Sequence, residues 1–100
     1  MKMVLLNYYV SMHAEVIELL AGAGVNTFTR IPEVQGRTSS GETRENTHVW
    51  PGTNSTLFAV VGDDSADALI RRVEEFNEHA QGEGIDAYVM NVERSVVAGP

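Results

Sequence analysis

Hydrophobic and polar positions follow two different periods along this chain. From Met3 to Val10 the residues are aliphatic, aromatic and β-branched, the types that suit an extended, half-buried strand, and Ser11 then suits a helix N-cap. From Met12 onward the apolar positions Met12, Val16, Leu19, Leu20 and Ala23 recur at helical spacing, with Gly22 and Gly24 as the stop, so the pattern predicts an amphipathic helix of about three turns. Val25 to Val34 reads as a second strand in which Pro32 lacks a ladder donor, which places it at a sheet edge or a bulge. Ser55 to Val61 is nearly continuously apolar and predicts a central strand buried on both faces.

Gly62 to Asp67 then gathers the carboxylates Asp63, Asp64 and Asp67, as a helix start does where the macrodipole favours negative charge. The helix that follows has an apolar stripe of Ala66, Leu69, Ile70, Val73, Phe76 and Ala80, with Arg71, Arg72, Glu74, Glu75 and Glu78 on the outside. Gly82-Glu83-Gly84 ends it, Ala87 to Val92 forms a last strand, and residues 93–100 are a short tail. The order βαββαβ with right-handed crossovers gives the ferredoxin-like plait, an α+β fold whose antiparallel four-stranded sheet carries both helices on one face. Its other face would be too apolar to leave wet, so self-association is expected. One domain spanning 1–100 accounts for the whole pattern.

Between the second and third strands, residues 35–54 show neither period. Connections in compact domains are usually about four to six residues long, so a loop of this length reads as functional. Arg37 is followed by Thr38, Ser39, Ser40 and Gly41, donors that could cradle an anion or simply form a solvated turn. In His48-Val49-Trp50-Pro51-Gly52, Trp50 suits either stacking on a planar ligand or anchoring the loop base. His48 with Glu42 or Glu45 could hold a metal, or be an ordinary surface histidine. Arg44 falls in the same stretch and, like His48 and Trp50, reads as a loop anchor or a contact for a partner. His13 and His79 have no ligand partner at useful spacing and read as structural or exposed. The Asp63, Asp64 and Asp67 group is explained by helix-start electrostatics without catalysis.

The formal net charge of -7 disfavours nucleic acid and anionic membrane surfaces as direct partners. The lack of cysteine removes disulfides and thiolate metal sites and fits a reducing compartment, so cytoplasm is the expected location. The apolar start Met3-Val4-Leu5-Leu6 is too short for a signal or membrane span.

Several short matches in the right order make the chain resemble the nitrogen regulatory protein P-II superfamily, trimeric ferredoxin-like signal transducers. Glu33-Val34-Gln35-Gly36 resembles the end of the family's second strand, Arg37 to Gly41 the start of its large T-loop, and Ala80 to Ile85 its B-loop. The resemblance implies a homotrimer with an effector site in each intersubunit cleft, built from Gly36, Arg37, Thr38, Ser39, Gly41, Gly82, Glu83, Gly84 and Arg94. It implies an adenine nucleotide or another small anion as ligand, and no fixed cofactor. It also implies a regulatory protein rather than an enzyme, with a target protein such as a transporter or an enzyme, and with a membrane reached only through that partner. Family features are missing: Thr38 follows Arg37 where the family has Gln, the loop lacks Tyr and Lys, Glu83 lies in a B-loop without Lys, and the tail offers only Arg94. Triphosphate binding should therefore be weak. Trp50 before the third strand gives a fainter similarity to the CutA divalent-cation tolerance proteins, whose reading would put a metal at His48. A small plait-fold enzyme is the remaining alternative.

Overall fold

The computed structural model describes residues 1–34, 54–80 and 84–99. It contains strand β1 (Lys2–Tyr9), helix α1 (His13–Gly22), strand β2 (Thr29–Val34), strand β3 (Asn54–Val61), helix α2 (Asp63–His79) and strand β4 (Asp86–Asn91). The strands form one sheet in the order β2-β3-β1-β4, with antiparallel neighbours throughout. Each strand–helix–strand unit therefore skips one strand, and the two units interlock as the plait requires.

The strand period of two decides which side chains form the core. In β1, Val4, Leu6 and Tyr8 are buried while Met3, Leu5, Asn7 and Tyr9 are not. Register places Leu6 opposite Leu57 and Val4 opposite Ala59, so β3 contributes Leu57 and Ala59 to the same face. Val16 and Leu20 from α1 and Ala66, Leu69 and Val73 from α2 complete this cluster. Each of the large aliphatic residues so buried is worth about 1.5–3 kcal/mol of transfer free energy. The outward face of α2 carries Arg71, Arg72, Glu74, Glu75 and Glu78 as its period predicts, and Ala80 lies just past its end as the C-cap.

Among the described residues no helix covers the opposite sheet face. Leu5 faces Phe58 and Tyr88 across the ladders, and Met3 faces Val60 and Met90. Val60 is 44% exposed, Tyr88 54% and Met90 44%, a contiguous apolar surface in the single chain. The expected burial of β3 on both faces is thus met on one face only. Position in the sheet is interior as predicted, but among the described residues no element covers the second face.

Three local details differ from the pattern reading or sharpen it. Ser11 is not the cap: Val10–Met12 form a 3₁₀ turn and α1 starts at His13, because Met12 turns into the core and leads the chain into the helix. At the other end Gly24 has φ +78, with Val25 N–H donating to Leu20 C=O at 2.9 Å and Gly24 N–H to Ala21 C=O at 3.1 Å. This is a Schellman motif, and it puts Val25 into the core beside Leu20 in place of the strand start expected there; β2 begins at Thr29. Pro32 sits on the edge strand within a register shift between Ile31 and Val34, as the missing donor demands.

Candidate functional site

Register brings three chain segments to one end of the sheet. Val34 pairs with Asn54, so residues 35–53 leave and re-enter the sheet at adjacent strand ends. Tyr9 lies opposite Asn54 on the other side, and Asn7 lies opposite Asp86, which starts β4. The end of α2 and the residues leading into β4 therefore arrive at the same end as the base of the long segment.

Gly84 is positioned there by Asn77. The Asn77 amide donates from Nδ2 to Ile85 C=O at 2.8 Å and accepts from Ile85 N–H at Oδ1, also at 2.8 Å. The two bonds clamp the last turns of α2 to the chain entering β4. A Cβ added to Gly84 would lie 3.0 Å from Asn77 Oδ1, so the clamp holds the backbone close because no side chain intervenes. Ile85, 2% exposed, anchors the segment in the core.

Arg94 lies elsewhere. It follows β4, past the Val92 N–H that donates to Met1 C=O at 3.1 Å, and it lines an open recess of about 570 Å³ with Met3, Met90, Asn91, Val92 and Glu93. The strand between Gly84 and Arg94 spans about 20 Å at the usual rise of about 3.3 Å per residue. The two sequence-predicted residues thus sit at opposite ends of β4 in one chain. Gly36, Arg37, Thr38, Ser39, Gly41, Arg44, His48, Trp50, Gly82 and Glu83 lie outside the described residues. Among the described residues no group of three or more His, Asp or Glu side chains could hold a metal ion. His79 Nδ1 lies 2.9 Å from Glu75 C=O on its own helix, and His13 is engaged as described next.

At the base of the long segment lies a polar cluster that the sequence pattern does not announce. Arg30 projects from β2 on the helix-bearing side, where its register partner is Leu57. Its Nη2 donates to Ser55 Oγ at 3.2 Å, and Ser55, fully buried, donates in turn to Pro32 C=O at 2.6 Å. Tyr8, also fully buried, places its hydroxyl 2.8 Å from His13 Nδ1, and the two rings stack with centroids 5.9 Å apart. Burial pushes the Tyr8 phenol up, against the pull of the Arg30 guanidinium. Burial and the same guanidinium both push the His13 imidazole down, so both rings favour their neutral forms. The available sequence signal is parity: Arg30 stands two residues from Pro32 on the inward phase of its strand, where a charge is unusual.

The fold and these segments define a P-II type plait. The chain matches the Nitrogen regulatory protein P-II family over residues 1–99 and belongs to that family. Among solved structures it is similar to CPII from Thiomonas intermedia K12, a nitrogen regulatory PII-like protein bound there to ADP, AMP and bicarbonate. That likeness has 19% identity, covers 93% of this chain and 88% of that one, and has a TM-score of 0.71. A second CPII structure, bound to ADP and bicarbonate, gives a TM-score of 0.69 at the same identity and coverage. A PII-like signaling protein from Thermus thermophilus is 23% identical over 91% of this chain and 85% of that one, with a TM-score of 0.66. At such identities these likenesses establish the fold. No curated protein matches the chain in sequence.

Proposed function

We propose that this protein is a non-catalytic signal transducer of the P-II type: a homotrimer that binds a small anionic effector, of the adenine-nucleotide class, in its intersubunit clefts. Residues 35–54 then present a surface to a target protein such as a transporter or an enzyme. One observation carries this reading. Gly84 and Arg94 stand at opposite ends of β4, so they can share a ligand only when the Arg94 end of one subunit meets the Gly84 end of another, and the uncovered apolar face supplies the surface for that meeting. Support for the ligand class comes from CPII, whose structures hold ADP, AMP and bicarbonate.

Arg37, Thr38, Ser39, Gly36 and Gly41 enter the site from the long segment, Gly82, Glu83 and Gly84 from the turn before β4, and Arg94 from the neighbour. Glu83 in place of a cation works against the most highly charged ligands, since each charge-assisted contact is worth roughly 1.5–3 kcal/mol. ATP should bind only at about millimolar levels, and a less charged nucleotide should compete well. Among the described residues no helix is long and apolar enough to cross a membrane.

Calorimetry with ATP, ADP and AMP, beside light scattering, tests the reading. ADP or AMP should bind more tightly than ATP, and Arg37→Ala should abolish binding while the trimer persists. Micromolar ATP binding that survives Arg37→Ala would put the site elsewhere.

A further inference from the structure

The polar cluster at the base of the long segment has one consistent set of hydrogen-bond directions. Ser55 Oγ gives its single hydrogen to Pro32 C=O at 2.6 Å, so toward Arg30 Nη2, 3.2 Å away, it is the acceptor. A guanidinium only donates, so in its hydrogen bond with Arg30 the Tyr8 hydroxyl is an acceptor too. The one hydrogen of that hydroxyl is then left for His13 Nδ1 at 2.8 Å, which fixes His13 as the neutral tautomer with its proton on Nε2. Two arms thus leave Arg30, one through Tyr8 to His13 and one through Ser55 to Pro32, and together they tie β2 to β3, β1 and the start of α1. The tie falls where the backbone is weakest: β2 is an edge strand, and its ladder to β3 is interrupted between Ile31 and Val34, just before residues 35–53 depart.

A proton on His13 Nδ1 makes these directions inconsistent. Two donors would then point at the Tyr8 oxygen, whose own hydrogen would have no acceptor at a fully buried residue, and a second cation would stand near a guanidinium whose Nε already has no partner. The imidazole is partly exposed, so a proton can reach it. Facing the ring are Tyr8 from β1, neutral and stacked on it, and the Arg30 guanidinium from β2, the charged group whose field reaches it. Ser55 from β3 is neutral, and neither Glu15 and Glu18 of α1 nor the carboxylates that open α2 act on the ring.

We infer that the His13–Tyr8–Arg30–Ser55 chain is an acid-sensitive latch: the neutral imidazole keeps it closed, and one proton on His13 loosens the ends of β2 and β3 that carry residues 35–53. The lowered His13 pKa is the same coupling seen from the proton's side, since any opening that frees the imidazole must favour its protonation. The hold on the strand ends is therefore complete above about pH 6.5, the ordinary histidine value, and is lost as pH falls through the folded value. Its consequence for a target protein rests on the proposed function, whereas the latch itself does not.

Amide hydrogen exchange on the full chain, with neither nucleotide nor target added, tests the latch independently of the effector reading. Rates are taken between pH 8 and pH 5, each divided by the intrinsic rate at that pH, and the His13 ring is titrated in the same samples. Protection at residues 29–31 and 54–56 should fall with acid by about tenfold for each unit by which the measured His13 pKa lies below the ordinary value. It should also stay below the protection of Leu69, a core residue that reports global unfolding, at every pH. His13→Asn puts an amide oxygen where Nδ1 stands and takes no proton, so its strand-end protection should be flat with pH after the same correction. Tyr8→Phe removes the donor to Nδ1, and its strand ends should be less protected at pH 8 and respond less to acid. An acid response that persists unchanged in His13→Asn overturns the latch. So does strand-end protection that stays flat while the wild-type His13 ring titrates, or that equals the protection of Leu69 throughout.

Discussion

Replacing Asn77 with alanine should destabilise the protein although Asn77 itself is exposed, because its amide holds two backbone groups of buried Ile85. Each of the two 2.8 Å bonds contributes about 1 kcal/mol net, and their loss leaves the Ile85 N–H and C=O to find water at a partly buried position. Alanine returns about 0.6 kcal/mol through its better helix propensity in α2. The balance is a loss of roughly 1.4 kcal/mol. With a urea slope of about 1–3 kcal/mol per molar, the unfolding midpoint should fall by about 1 M at unchanged slope. Since subunit association adds to apparent stability, wild type and variant must be compared at equal protein concentration. Asn77→Asp separates the two bonds, because a carboxylate still accepts from Ile85 N–H but faces Ile85 C=O with no donor; it should be at least as unstable as the alanine variant at neutral pH. An alanine variant within about 0.5 kcal/mol of wild type would show that water replaces the clamp freely and that α2 does not position Gly84 in this way.

A charge on the uncovered sheet face should dissociate the assembly: Val60→Asp places a carboxylate among Met3, Leu5 and Phe58, and light scattering should show the mass falling toward that of one chain while circular dichroism keeps the fold. An unchanged mass would move the subunit interface off this face. His13 makes stability depend on acid. Its imidazole has a lowered pKa in the fold, so the unfolded chain binds the proton more readily, and stability that is complete above about pH 6.5 should be lost as pH falls through the folded value. Denaturant midpoints for wild type and His13→Gln between pH 8 and pH 5 should diverge in that direction, and parallel curves would remove His13 from the acid response.

Much of the architecture is legible in the chain because it rests on local periods. Val4, Leu6 and Tyr8 alternate along β1, Ala66, Leu69 and Val73 recur on α2, and such repeats report which face is buried whatever the partner. Glycines mark the helix end through a backbone conformation that side chains rarely adopt, as Gly24 does. The βαββαβ order then leaves few topologies open, and the plait is among them. What the chain does not disclose depends on residues far apart in sequence. Asn77 is an ordinary polar residue on a helix until Ile85 folds back within reach, and Arg30 is an ordinary strand cation until β3 and β1 bring Ser55, Tyr8 and the start of α1 around it. His13 reads as a bystander in sequence because its partner, Tyr8, lies on another element. Gly84 and Arg94 look like members of one site by family order, and only the length of β4 separates them within a chain. Periodicity is a property of neighbours along the backbone, whereas desolvation, pairing and the sharing of a ligand depend on distances that packing alone sets.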